Sequence, residues 1–541
     1  MTAADHADVQ EDGTDAEWAR AAAIRRTVIL WILITFIGLG AGLRLRQYLA
    51  RASFFSDEAS LILNFRTHTA AELMRHLDYR QAAPPVFLWV GRAMYLHFGP
   101  SEYALRLLPL LGGIAALVLF GLLAWKVLPP APAVFAVACF ATCENLINFC
   151  GELKQYSTDV FAAVLLLAAF FLWSRTRTPA RRLLQLALIT SALIWLSHPS
   201  IIIFAALAII LLWASLRRGR WAFLAAAVAC LPVAISFGVL YLVSIRHLHD
   251  PFLFQFWSGG FPDWSRPIAF PLWLLQQTYE LVNTPYLGLG ALFIVLTAVA
   301  TIAAYRRKQP ELLVAGLGPL ALTAIAACAH QYPYNGSRLT LFLFPGLFLM
   351  VASGAAALRN GLPRPWCRFW WVATLPVLGM GLAQGGYHAI HPHYLSHIRP
   401  VVQYVRERLQ PGEAIYLLGE PGPPRGPLLA PGFHNEFLAY WPDPPAVVHT
   451  HLESVQDIHE RRFWIVLAYR PHVTRTVQLF DRVREVADSV GKPFIVKEGA
   501  AACLFELRTA QRTDASSPNS PVAGYLGALP VSPPPVLRGE G

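Results

Sequence analysis

The chain has 541 residues, of which 55% are hydrophobic and 14% charged. Ordinary globular domains carry roughly 25% charged residues, so a wholly water-soluble protein is excluded. The formal net charge is +11, but the basic residues lie in short stretches between apolar runs. That argues against nucleic acid as a partner and for loops retained on the cytoplasmic side of a bilayer.

Roughly 20 apolar residues cross a bilayer core. The acidic stretch Met1 to Glu17 precedes an apolar run too long for a cleavable leader, so 27–48 is expected as the first membrane helix. Further spans are expected at about 103–126, 131–149, 153–174, 182–197, 199–216, 221–244, 286–304, 310–329, 338–358 and 367–388. That makes about eleven, with an error of two. Pro84 to Phe98 is apolar but short, which suits a re-entrant or interfacial helix. Six connections are basic: Arg25–Arg26, Lys126, Arg175 to Arg182, Arg217 to Arg220, Arg306 to Lys308 and Arg359 to Arg368. With eleven spans all six fall on one side, which the charge rule makes cytoplasmic.

After His391 the composition turns charged and globular. HIRPVVQYVRERL and TRTVQLFDRVREVADSVG predict helices, and AIYLLG, FWIVLAY, PFIVK and ACLFEL predict strands. Residues 509–541 are rich in Pro, Ser and Gly and are expected to be disordered. The expected fold class is an all-α polytopic membrane protein with a small α/β extracytoplasmic C-terminal domain. The divisions are 1–26, a cytoplasmic segment; 27–390, the membrane domain; 391–508, the α/β domain; and 509–541, the tail.

Polar residues in the apolar region crowd the outer side. Asp57 and Glu58 follow the first span, where carboxylates near hydrocarbon are costly unless they serve a purpose. A partly dehydrated carboxylate can act as a general base. Glu152, Tyr156 and Asp159 fall at i, i+4 and i+7, on one face if helical, with Lys154 directed elsewhere. His198 lies between two apolar runs. Tyr334 precedes Arg338, which opens a span and could hold a phosphate together with helix-end N–H groups. An acid pair also suits a solvated loop, and Arg338 alone also suits contact with lipid phosphate. The convergence of these sites on one face points to a single outward cleft.

The order of FFSDEA, QAAPPVFLWVGRAMYLHFG, SEYALRLLPLLGG, ELKQYSTDVFAAVLLL, SHPSIIIF and QYPYNGSRLTLFLFP resembles the C-type glycosyltransferase superfamily. The likeness is to its bacterial branch, which includes protein O-mannosyltransferases and the lipid A aminoarabinose transferase, and it covers about residues 25–390. It implies a large first outer loop carrying short interfacial helices, and transfer of a sugar from a polyprenyl-phosphate carrier to an acceptor hydroxyl, with inversion. By the same resemblance Asp57 matches the motif acid and would be the base, with Glu58 beside it. Lys154 and Arg338 would meet the lipid-linked phosphate, with Glu152, Tyr156, His198 and Tyr334 completing substrate binding. Related enzymes carry His or Lys before the double Pro, where this chain has Ala83. The expected partners are a polyprenyl-phosphate sugar, a lipid or glycan acceptor rather than a protein, and the lipid bilayer, in the inner (plasma) membrane of a bacterium. No obligatory cofactor is expected, although Asp57, Glu58 and Glu152 could host a divalent metal. The alternative reading is a transporter or lipid flippase, which should show internal symmetry or paired broken helices.

Overall fold

The computed structural model describes residues 3–75, 77–172, 178–248, 250–361, 370–418, 432–445, 447–449, 458, 460–467, 481–496 and 500–508. Among the described residues each of the eleven expected apolar segments overlaps a helix. The first helix, α1 (Ala3–Leu49), is followed in the first outer loop by α2 (Ser56–Thr67) and α3 (Pro85–Phe98). Next come α4 (Glu102–Val127), α5 (Pro130–Thr142), α6 (Glu144–Asn148), α7 (Tyr156–Leu172), α8 (Pro179–Leu193), α9 (Ser200–Leu216), α10 (Arg220–Val228) and α11 (Leu231–Val243). The second long loop carries α12 (Pro251–Phe256) and α13 (Phe270–Asn283). Then follow α14 (Gly290–Arg306), α15 (Pro310–Cys328), α16 (Phe344–Gly361) and α17 (Trp371–Ile390).

Among the described residues five helical stretches are long and apolar enough to cross a membrane: Ala23–Leu49, Glu102–Val127, Arg220–His247, Pro310–Cys328 and Arg338–Gly361. The pair Pro130–Thr142 and Glu144–Gly151 would add a sixth, bent by 59°. Tyr156–Leu172, Ser200–Leu216 and Gly290–Arg306 are apolar but shorter. The lipid-facing stripe of α4 is plain: Leu107, Leu111, Val118 and Leu122 are exposed on a helix whose opposite side is buried. The chain is a multi-pass membrane protein.

Without a hydrophobic drive between helices in lipid, small residues and close packing decide contacts. Phe140 stacks on Phe120 at 4.7 Å and meets Phe348 edge-on at 6.3 Å. Gly354 of α16 lies against the backbone of Leu296 in α14: an added Cβ would meet the Leu296 carbonyl carbon at 2.6 Å and its oxygen closer still. Gly354→Ala is therefore expected to destabilise the protein by about 1–3 kcal/mol, as overpacking does. Thermal unfolding in detergent measures this, and an unchanged midpoint would contradict the packing argument.

The C-terminal unit opens with α18 (Ile398–Arg408) and continues through β1 (Ala414–Leu418), α19 (Gly432–Tyr440), β2 (Val448–His449), β3 (Arg462–Leu467), β4 (Ala487–Ser489), β5 (Phe494–Ile495) and β6 (Ala501–Leu507). Its mixed sheet runs β2-β1-β3-β6-β4, with β5 also on β6. The pairs β1–β2 and β1–β3 are parallel; β6 is antiparallel to β3, β4 and β5. Strand β3 is buried on both faces, which explains its unbroken FWIV run. Trp464 and Val466 pack with Ile398, Val401 and Val405 of α18, while Phe463 and Ile465 face a second cluster with Phe505.

Two expectations need correction here. TRTVQLFDRVREVADSVG was read as all helix, but Ala487–Ser489 pairs with β6 through Ala487↔Leu507 as a strand. Helix α19 and strand β2 were not anticipated. The tail 509–541 lies outside the described residues.

Candidate active site

The site begins where α1 ends. Helix α2 starts at Ser56, placing Asp57 and Glu58 in its first turn, where the helix dipole favours anions. The Glu58 carboxylate accepts from Phe55 N–H at 3.0 Å and from Leu153 N–H at 2.6 Å. Arg106 of α4 grips the same carboxylate with two hydrogen bonds, Nε to Oε1 at 2.8 Å and Nη2 to Oε2 at 2.7 Å. Arg106 also donates to the carbonyls of Ala52 at 2.6 Å and Ser53 at 3.2 Å. Both side chains are about 3% exposed. This knot ties the chain before α2, the start of α4 and the turn before α7 into one block. It also alters the place expected for Glu58: bound on both oxygens and buried, it pairs with Arg106 as an anchor of this block.

The knot carries Leu153 to Glu58 and so swings Lys154 toward Asp57. Helix α7 begins only at Tyr156, and Glu152 is extended (φ −122°, ψ 143°). The expected single face of Glu152, Tyr156 and Asp159 therefore does not form, and Lys154 points into the site instead of away from it. Asp57 Oδ2 lies 2.8 Å from Arg338 Nη2 and 3.9 Å from Lys154 Nζ. Lys154 Nζ also donates to Gln81 Oε1 at 2.7 Å. The Arg338 guanidinium sits 5.8 Å over the Tyr156 ring and 5.7 Å over the Trp257 ring. The side chains of Asp57 and Arg338 are each 28% exposed whereas that of Lys154 is 6% exposed, so Asp57 and Arg338 are the accessible members of the cluster and Lys154 the buried one.

Burial alone would raise the Asp57 carboxyl, but Lys154, Arg338 and Gln81 together outweigh it and hold Asp57 below the usual value. Burial pulls the Lys154 ammonium down, against Asp57, which supports its charge. Burial pushes Glu152 up to about 8, helped by Glu58 and opposed by Arg338 and Arg106. At neutral pH Glu152 is thus a neutral acid next to an anionic Asp57.

The remaining expected site residues separate. Tyr156 is in the site, beneath Arg338. His198 is buried, and burial alone takes it down to about 4, so near neutral pH it brings an N–H and not a charge. Tyr334 shares a hydrogen bond with Thr278 at 3.0 Å, and its amide donates to Gly260. It fastens the Arg338 loop to α13 and packs in the hydrophobic core. Among the described residues no three His, Cys, Asp or Glu side chains converge as a metal site would need. Three residues were missed: Gln81, Arg106 and Trp257. Gln81 had a local signal, since it stands three residues before the Pro84 that precedes α3 in the stretch YRQAAPP. The two residues before Gln81, Tyr79 and Arg80, both hold left-handed backbone (φ 59° and 56°). Such strain in side-chain-bearing residues clusters at functional sites.

No family model and no curated protein matches the chain. Solved structures do. ArnT from Cupriavidus metallidurans in the apo state superposes with a TM-score of 0.50 and 13% identity, over 88% of this chain and 98% of that one. The chain is similar in fold to ArnT. ArnT bound to undecaprenyl phosphate gives a TM-score of 0.48 at 12% identity, over 87% and 97%. The Archaeoglobus fulgidus oligosaccharyltransferase in complex with Zn and sulfate gives 0.45 at 12% identity, over 80% and 68%.

Proposed function

We propose that the chain is a membrane glycosyltransferase that moves a sugar from a polyprenyl-phosphate carrier to an acceptor hydroxyl on the outer face of the inner (plasma) membrane, with inversion. The observation that carries this reading is the accessible Asp57 carboxylate held between Arg338 and Lys154. Two cations beside one carboxylate can also meet the phosphate of a lipid-linked donor. The arriving phosphate takes Arg338 and Lys154 for itself. That removes the groups which depress Asp57, so its proton affinity rises only when donor is present. Asp57 then accepts the acceptor O–H proton as the oxygen attacks the anomeric carbon. The carbon–oxygen bond to phosphate breaks, and polyprenyl phosphate leaves with its charge met by the same two cations. A phosphate is a good leaving group, and a single displacement inverts the anomeric centre.

The orientation belongs to the same reading: the N-terminus cytoplasmic, the C-terminal unit outside, and the acceptor a lipid or glycan. The domain limits are proposed as 1–26, 27–390, 391–508 and 509–541. The test is an assay in membranes with labelled polyprenyl-phosphate sugars. The expected result is label appearing on a new acceptor with stoichiometric release of polyprenyl phosphate and an inverted linkage. Label that only crosses the bilayer, still on its carrier, would make the protein a flippase. Topology reporters fused at Arg218 and after Leu507 are expected on opposite sides.

A further inference from the structure

Helix α2, which carries Asp57, does not stand on the membrane helices alone. Its outer flank is covered by α19 of the C-terminal unit. Asn435 Nδ2 donates to Ser60 Oγ at 2.9 Å, and Ser60 Oγ in turn donates to the Ser56 carbonyl at 2.7 Å. The Glu436 carboxyl takes the Ser396 hydroxyl at 2.7 Å and meets the Ser56 N–H. Both residues thus reach Ser56, the immediate neighbour of Asp57, one through its carbonyl and one through its amide. One turn on, Tyr440 accepts from Phe54 N–H at 2.8 Å, donates to Glu102 at 2.8 Å and stacks on the Phe54 ring at 5.3 Å. Asn435 and Glu436 are 1% and 2% exposed.

We propose that Asn435 and Glu436 are positioning residues, through which the C-terminal unit fixes the first turn of α2 and so the place of Asp57 between Lys154 and Arg338. The inference rests on the proposed transfer reaction for its catalytic meaning, while its geometry stands apart from it. A seam that only glued two parts together would be served by apolar residues, and α19 has them in Phe437 and Ala439. Two buried polar side chains that converge on Ser56, Glu436 directly and Asn435 through the Ser60 hydroxyl, instead set a direction as well as a distance, which is what orientation of a reacting group requires. Burial pushes Glu436 up to about 8, assisted by Glu58, so it is neutral near pH 7 and adds no charge beside Asp57. Glu58 itself is neutralised by Arg106, and Arg399 of α18 is engaged with Glu102 at 2.6 Å.

The experiment uses the full chain in lipid nanodiscs, with Asn435→Ala, Glu436→Ala and Glu436→Gln. Two readouts are taken: steady-state transfer from a polyprenyl-phosphate sugar, and amide hydrogen exchange over Ser56 to Ser60. A misplacement of a reacting group by about 1 Å costs up to about 100-fold. Asn435→Ala and Glu436→Ala are expected to lower kcat tenfold or more, leave the donor KM unchanged because Lys154 and Arg338 are intact, and speed exchange in that turn. Glu436→Gln, of the same shape and neutral, is expected to restore rate and protection. Unchanged exchange in both alanine variants overturns the inference, as does a loss confined to KM. If the wild-type protein transfers no sugar, the proposed function fails, and the exchange measurement still decides whether α19 holds α2.

Discussion

Asp57→Asn is expected to abolish transfer by a factor of about 10²–10⁴, the range that general base catalysis contributes, while leaving donor binding equal or tighter. The second half of that expectation is the discriminating one. In the resting protein Asp57 competes with the donor phosphate for Arg338 and Lys154, at 2.8 and 3.9 Å. Asparagine keeps the shape and removes the negative charge that competes with phosphate for the two cations. A variant that loses turnover yet binds undecaprenyl phosphate as well as the wild type, or better, fits both roles of Asp57. Retained turnover would remove Asp57 as the base. Weakened binding would show that Asp57 orders the cations and does not compete for them. The pH dependence has a definite sign. Without donor, Asp57 is held below its ordinary value, so its ion pairs are present above that value and are lost as pH falls through the lowered one. Glu152, pushed up to about 8, is neutral below that pH. Its ionisation above pH 8 adds a negative charge where the donor phosphate must sit. Transfer is therefore expected to decline on the alkaline side through weaker donor binding, and Glu152→Gln is expected to flatten that decline.

The membrane part was legible because its signal is local. An apolar run of bilayer length needs no partner to be recognised, and among the described residues each expected run overlaps a helix, although only five helical stretches are long enough by themselves to cross. The C-terminal strands AIYLLG, FWIVLAY, PFIVK and ACLFEL were legible for the same reason. Misread features depended on distant contacts. The stretch ending in Ala487–Ser489 reads as helix by periodicity, yet its end adds to β6, and tertiary pairing overrides the pattern. Lys154 was assigned the wrong direction because helical spacing was carried back from Tyr156 to Glu152, whereas the backbone there is drawn out to meet Glu58. Asp57 and Arg338 were both selected from the sequence as candidate site residues, but their meeting across 281 positions is a fact of packing that spacing cannot show. Glu58 looked like a second catalytic acid because spacing cannot show which acid Arg106, 48 positions away, would pair with.

Arg106→Ala is expected to destabilise the protein by about 3–5 kcal/mol, the range seen when one member of a buried ion pair is removed. The reason is not the lost attraction itself. Truncation leaves the Glu58 carboxylate buried with no counter-charge, and strips donors from the carbonyls of Ala52 and Ser53 at the same time. Replacing both partners tests this account. The double variant Arg106→Met with Glu58→Leu is expected to recover much of the unfolding midpoint in detergent, because apolar pairs of similar volume substitute well for buried ions. Activity is expected to stay low in that variant. Leu153 N–H would have lost its acceptor, and Lys154 next to it would no longer be held 3.9 Å from Asp57. Stability and catalysis thus separate at this pair: if the double variant regained both, the knot would serve folding alone, and the placing of Lys154 would have to come from Gln81 and the walls of the site.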